Sequence, residues 1–379
     1  MNPVVEEMPV SPRGRLKSRY WPLYLAFAAT GLGCALPGVL LPAILANWKL
    51  DDRSGGMLFF LLSAGSSLGA LVVREPLRLS IAGGCALVAL AAAGLSCANR
   101  IYAFPLMLAY GLGLGVTMTG ISLLSLRTRT LVGGVELVRL NLLWAAGASA
   151  APAVMAHAVR VGDSRAPFLM TAASFGAFAL CAWRLGAPKT LLPLRNIPTL
   201  RSWPLLLQIP VPLLLMTVLS TGIEASSGAW IATYAHREQH RFAFTMGGPT
   251  CLWAGLLASR LLGSLPRVES VVRSALVGFS FLVLLGSALL LTSQDGHGIL
   301  LAAFLVGFGL GPLYPILLAR VLQLHEVNLI FMLAGASSAF LPFLTGSLSR
   351  ESGSLRTGLL VPATASLLLY SLAIKDQKK

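Results

Sequence analysis

Apolar residues in this chain fall in long blocks, such as Trp21 to Trp48, Leu79 to Cys97 and Tyr102 to Leu126. Each block is near or above the roughly 20 residues that carry a helix across a bilayer. Many lack a polar stripe of 3.6-residue period, so they read as helices with apolar surroundings on every side. About twelve such spans are expected by this length criterion. They begin near Trp21, Gly55, Leu79, Tyr102, Val135 and Ala166, then near Trp203, Phe242, Val271, Gly298, Val327 and Thr357. The longest polar interruption is the Pro-rich, basic stretch "GAPKTLLPLRNIPTLRS" from Gly186 to Ser202, which divides the spans six and six. The pattern predicts an all-α integral membrane protein of twelve transmembrane helices in two pseudo-symmetric six-helix bundles. The expected order is a tail over 1–20, a first bundle over 21–186, a linker over 187–202, a second bundle over 203–374 and a tail over 375–379.

Composition supports this reading. Of the 379 residues, 56% are hydrophobic and 11% charged, where soluble domains carry about 25% charged. The formal net charge of +15 raises nucleic acid as a partner, but no basic-aromatic interleaving accompanies it. Most basic residues instead fall in segments on one side of the expected spans, among them Arg13, Arg15, Arg74, Arg78, Lys189, Arg195, Arg260, Arg320 and Lys375. Fewer fall on the other side, at Lys49, Arg53, Arg100, Arg160, Arg165, Arg237, Arg241, Arg350 and Arg356. That asymmetry predicts both termini in the cytoplasm, here at a cell inner membrane. The first block is too long for the apolar core of a cleaved signal and is expected to remain as a span. The five cysteines lie in or at the ends of apolar blocks without metal-site spacing, so they read as packing residues. No metal or other cofactor is expected.

The halves repeat each other. "YGLGLGV" from Tyr110 matches "VGFGLGP" from Val306, and "NLLWAAGASAAP" from Asn141 matches "NLIFMLAGASSAFLP" from Asn328. "TG" at Thr30 has its counterpart at Thr221. Matches in the same order at half-chain offsets indicate a duplicated six-span unit. Such duplication is the plan of many secondary transporters, whose site lies near the midplane between the halves.

These segments resemble the major facilitator superfamily. "GIEASSGAWIATY", "GFGLGPLYPILLA" and "GASSAFLPFLTGSLSRESGSLRTGLLVP" are similar to its fucose-permease-like branch. The resemblance covers nearly all of the chain after residue 20. It implies alternating access, a sugar or polyol substrate and possible coupling to protons. It also implies a conformational loop between the second and third spans. There "GALVVREPLR" supplies Gly69, Arg74 and Arg78, but Val73 stands in the place of the family's acid and Pro76 in that of its second glycine. The second-half counterpart "GLLASRLLG" keeps Gly255 and Arg260, with Ser259 in the acid's place. The family's latch is therefore weaker here or made by other groups. The first and fourth spans hold none of the acids that the branch's sugar-proton members carry in their first half.

Glu224 is the one acid deep in a span. A carboxylate at membrane depth costs a few kcal/mol even on the mild insertion scale, so it is kept where it meets water, a partner or a ligand. Helical spacing puts Ser220, Glu224, Ser227, Ile231 and Tyr234 on one stripe, which reads as the wall of a wet cavity with Trp230 nearby. Glu224 is the candidate for proton coupling, since burial raises a carboxyl pKa. The alternative is a structural glutamate that bonds a neighbouring helix. Asn141 and Trp144, one turn apart, fit a sugar's hydroxyls and apolar face, although Trp144 equally fits a packing role. Tyr314, between Pro312 and Pro315, marks a bent helix whose freed carbonyls need partners, or a kink alone. His157 is a further relay candidate. "HREQH" at His236 has the wrong order for a zinc protease and reads as a solvated rim.

No basic residue is expected deep in the spans away from their cytoplasmic ends, and anionic substrates usually recruit one. A small neutral polar solute is therefore expected, with protons and membrane lipids as the other partners and a monomer as the working unit. An amphiphile, drug or lysolipid exporter on the same fold stays open. A membrane-embedded enzyme lacks the clustered acids, histidines or nucleophile-base pair that its chemistry requires.

Overall fold

The computed structural model describes residues 21–128, 133–161, 165–185, 210–263, 272–322 and 327–377. The linker 187–202 and the expected helix start near Trp203 lie outside them. The described residues are helical throughout, joined by short turns. The elements are α1 Trp21–Trp48, α2 Asp52–Val72, α3 Leu77–Ser96, α4 Arg100–Thr128, α5 Gly133–Val161 and α6 Ala166–Arg184. They continue with α7 Val211–Gln239, α8 Phe242–Gly263, α9 Val272–Thr292, α10 Gly296–Leu322, α11 Val327–Ser352, the single turn α12 Leu355–Gly358 and α13 Leu360–Gln377. Among the described residues, 9 stretches are long and apolar enough to cross a membrane, the last running through α12 and α13. α5, α8 and α11 fall outside that group.

Local sequence accounts for the turns. Asp51 caps α2 by accepting from the Ser54 amide at 2.9 Å. Asn99 accepts from the amides of Ile101 and Tyr102 at the start of α4. Asp295 does the same for Gly298 at the start of α10. α7 ends at His240, whose left-handed φ of 51° lets its amide reach the His236 carbonyl. Each side chain satisfies amides that a helix end leaves without an internal partner.

Packing repeats between the halves. α4 packs on α2 and α3 as α10 packs on α8 and α9, α1 on α5 as α7 on α11, and α3 on α6 as α9 on α13. The repeated glycines explain the closest of these contacts. A Cβ on Gly111 or Gly307 would run into the carbonyl of Leu62 or Leu252, so α4 meets α2, and α10 meets α8, backbone to backbone. Small residues at such crossings are what membrane helices use in place of a hydrophobic driving force. Between the halves, α2 packs on α11, α5 on α8, and α1 on α7. This seam is where the candidate site forms.

Candidate functional site

Glu224 lies almost half-way along α7. Its Oε2 accepts from Arg260 Nη2 of α8 at 3.3 Å, with side-chain exposures of 16% and 5%. The same guanidinium donates through Nε to the Gly311 carbonyl of α10 at 3.1 Å and through Nη1 to the Asn141 carbonyl of α5 at 3.2 Å. Its Cζ stands 5.6 Å from the Trp144 ring centre, a cation–π distance. Trp144 meets Trp253 of α8 edge to face at 5.8 Å. Tyr314 of α10 lies within electrostatic reach of both Glu224 and Arg260. Cys34 of α1 sits beside Trp144 and within reach of Glu224. The cluster thus draws on α1 and α5 of the first half and on α7, α8 and α10 of the second. The Pro312 and Pro315 rings remove two amide donors from α10, and the nearby Gly311 carbonyl is taken up by Arg260.

Two expectations are corrected here. Arg260 is not a loop residue: it sits in the last turn of α8, buried, as the partner of Glu224. A buried basic group near a helix end therefore reaches Glu224, which weakens the argument for a neutral solute drawn from the lack of such a group. The α7 stripe also does not line one cavity. Ser220 donates to the Thr217 carbonyl, and Ser227 faces a cavity of about 10 Å³ lined also by Ile231, Ser287, Leu290, Leu359 and Pro362. Tyr234 donates to the Leu290 carbonyl at 2.8 Å, and Trp230 to the Pro342 carbonyl at 3.0 Å. The reason is that α7 is packed by α1, α8, α10, α11 and α13, so different parts of one stripe meet different neighbours. Of the candidates, Glu224, Asn141, Trp144, Tyr314 and Arg260 come together, whereas Ser227, Trp230 and Tyr234 serve helix packing. His157 lies on the exposed face of α5.

The α2–α3 loop stays within the first half. Arg78 Nη1 donates to the Leu185 carbonyl at the end of α6 at 3.0 Å, where the helix dipole favours a cation. Arg74 is exposed, and its backbone is held by Ser80 through both its amide and its carbonyl. Gly69 lets α2 approach Leu112 of α4.

Sequence reasoning missed a second cluster, at the end of the molecule that carries the α1–α2 turn. Asp52 accepts two hydrogen bonds from Arg237 of α7, at 2.6 and 2.7 Å, and one from Ser349 of α11 at 2.5 Å. Arg350 donates to Asp51 at 2.9 Å. Behind them Arg356 bonds Glu238 at 2.8 Å and the Ser293 carbonyl at 3.0 Å. The Ser54 hydrogen bonds, chiefly, and the Arg350 guanidinium hold the Asp51 carboxyl below the usual carboxylate range. Asp51 and Asp52 belong to the first half and Arg237, Ser349 and Arg350 to the second, so this clasp closes the seam at one end. The signal available from the sequence was adjacent acids at a helix start, with nothing to name their partners.

Comparison with known proteins gives the fold an independent anchor. No family profile matches the sequence, and no curated protein matches it either. Among solved structures, the fold is similar to the crystal structure of a mutant of the nucleoside transporter NupG. The TM-score is 0.74 at 13% sequence identity, covering 94% of this chain and 99% of that one. The chain therefore has the fold of that transporter over nearly its whole length, and it is a multi-pass membrane protein.

Proposed function

We propose that the chain is a secondary transporter of the major facilitator superfamily that moves a small hydroxylated solute across a cell inner membrane by alternating access. In this reading it has twelve spans in two six-helix bundles, 21–186 and 203–374. The linker 187–202 and both termini are cytoplasmic, and the Asp52 end faces outward. Sugars and polyols are the substrate class that the branch resemblance implies. Nucleosides, the class named for the solved structure of similar fold, share the hydroxylated ring. The observation that carries the reading is the buried Glu224–Arg260 pair on the seam, bonded to α5 of one half and to α7, α8 and α10 of the other. A charged pair held where two repeats meet is placed to feel their relative motion.

The test is uptake by reconstituted proteoliposomes across a panel of labelled sugars, polyols, sugar acids and nucleosides, with and without an inward proton gradient. The expected outcome is flux of at least one member. Glu224→Gln then abolishes gradient-driven accumulation but retains exchange. If Glu224 is only structural, Gln preserves both activities while Glu224→Ala lowers expression and melting temperature. Absence of flux for the whole panel, together with no solute-dependent change in the reactivity of Cys34, refutes the transport reading.

A further inference from the structure

Two of the ion pairs on the seam are built differently. Asp52 and Arg237 meet through two short hydrogen bonds of 2.6 and 2.7 Å, the bidentate geometry of a tight charge-assisted pair. Glu224 and Arg260 meet through one contact of 3.3 Å, long for such a pair, although both side chains are far better buried than Arg237. Arg260 does not depend on Glu224 for its position. The Gly311 and Asn141 carbonyls and the Trp144 ring fix the guanidinium from three other directions. Glu224 is thus the loosely held member of a site whose cation is rigid.

The surroundings are rich in donors. Trp253, 4% exposed, carries a buried indole N–H that meets no acceptor among the described residues, and its ring packs edge to face on Trp144, over which Arg260 stands. A buried N–H without a partner is costly, and here it sits in the same aromatic cluster as a fixed guanidinium. A ligand that satisfies such a site brings acceptor oxygens. Each hydroxyl of a neutral sugar brings a donor along with its acceptor lone pairs, whereas a carboxylate brings acceptors alone.

We propose that Arg260 anchors an acidic group of the transported solute, a small hydroxylated carboxylate. The solute's carboxylate takes the place of Glu224, and Glu224 accepts a proton from bulk water as it gives way. The exchange is electroneutral, because one carboxylate replaces another on the guanidinium and the incoming proton neutralises the one displaced. Without that proton the site would hold two carboxylates against one cation, an uncompensated buried charge. The titratable groups facing Glu224 are Arg260 on α8, Tyr314 on α10 and Cys34 on α1. Of those on α11 and α13, Arg350, Glu351, Lys375 and Asp376 lie toward the ends of their helices, and Tyr370 packs against Phe281 of α9. This inference rests on the transport reading and deepens it.

The experiment uses purified full-length protein and paired probes: glucuronate against glucose, gluconate against glucitol, and glycerate against glycerol. Binding is read by thermal stabilisation and by titration, at neutral and at mildly acidic pH. At least one acid is expected to bind while its neutral counterpart does not, more tightly at mildly acidic pH. Glu224→Gln removes the competitor and is expected to bind that acid about tenfold tighter at neutral pH and to lose the pH dependence. Arg260→Lys is expected to weaken it by a similar factor. Should the lysine variant fail to fold, Glu224→Gln still decides, because a merely structural pair predicts lower stability with no gain in affinity for acids. Equal or better binding of the neutral counterparts overturns the proposal, as does no binding by any of the three acids, or no gain in Glu224→Gln. Uptake of a neutral panel member in proteoliposomes leaves the transport reading standing when the acid claim falls, so the two failures are told apart.

Discussion

The clasp at Asp52 makes a quantitative claim about conformation. Asp52→Asn keeps the size of the side chain but removes the charge that meets Arg237 and accepts from Ser349. Truncating one partner of a buried, hydrogen-bonded charge pair costs about 2–5 kcal/mol. The Arg237 side chain is 42% exposed, so water takes over much of its solvation and a cost of about 1.5 kcal/mol is the appropriate figure. The clasp joins the halves only while this end is closed. Its loss therefore raises the population open at this end by about tenfold. Cys34 reports that population, because it sits half-way along α1 beside Trp144. With Cys85, Cys97, Cys181 and Cys251 replaced by alanine, a membrane-impermeant thiol reagent is applied from the Asp52 side. The labelling rate is expected to rise about tenfold in Asp52→Asn, in step with that population. An unchanged rate with a lowered melting temperature would show that Asp52 supports folding alone, and the clasp argument would be refuted.

Three further outcomes follow from the packing and the ends. A Cβ on Gly38 of α1 would run into the Gly228 carbonyl of α7, so Gly38→Ala is expected to slow transport strongly while retaining folded protein by size-exclusion chromatography. Normal flux in that variant counts against a tight α1–α7 crossing in the cycle. Asp51→Ala removes the α2 cap and is expected to cost about 1 kcal/mol. Because the native carboxyl titrates below its unfolded value of about 3.9, this contribution is complete above that value and disappears as pH falls through the native one. Melting-temperature differences that persist undiminished in strong acid contradict it. Lys49 and Glu75 are exposed at opposite ends of α2, so cysteines placed there should label from opposite faces of the membrane. Labelling from a single face sinks the topology.

What the sequence made legible depends on the range of the physics involved. The blocks and the glycine repeats are local, and each has a direct structural counterpart: Gly111 and Gly307 make equivalent backbone contacts in the two halves. Glu224 was legible for a similar reason, since one carboxylate within an apolar run is conspicuous whatever surrounds it. The α7 stripe shows the limit of periodicity. A 3.6-residue period tells which side chains share a face, but not which neighbours meet that face, and five helices divide it here. Asp52 and Arg237 lie 185 residues apart, and no pattern along the chain pairs them. Arg260 was obscured differently. The motif around it pointed to a loop, and a lone arginine near the end of an apolar block is what a cytoplasmic boundary also looks like. The overlooked cue was its seven-residue spacing from Trp253, which puts both on one face of α8, the face that meets Trp144 of α5. That placement changes the chemistry asked of the site. A carboxylate alone in a membrane invites a proton, but a carboxylate beside a fixed guanidinium is already neutralised. A proton reaches it only when something else takes its place on the arginine.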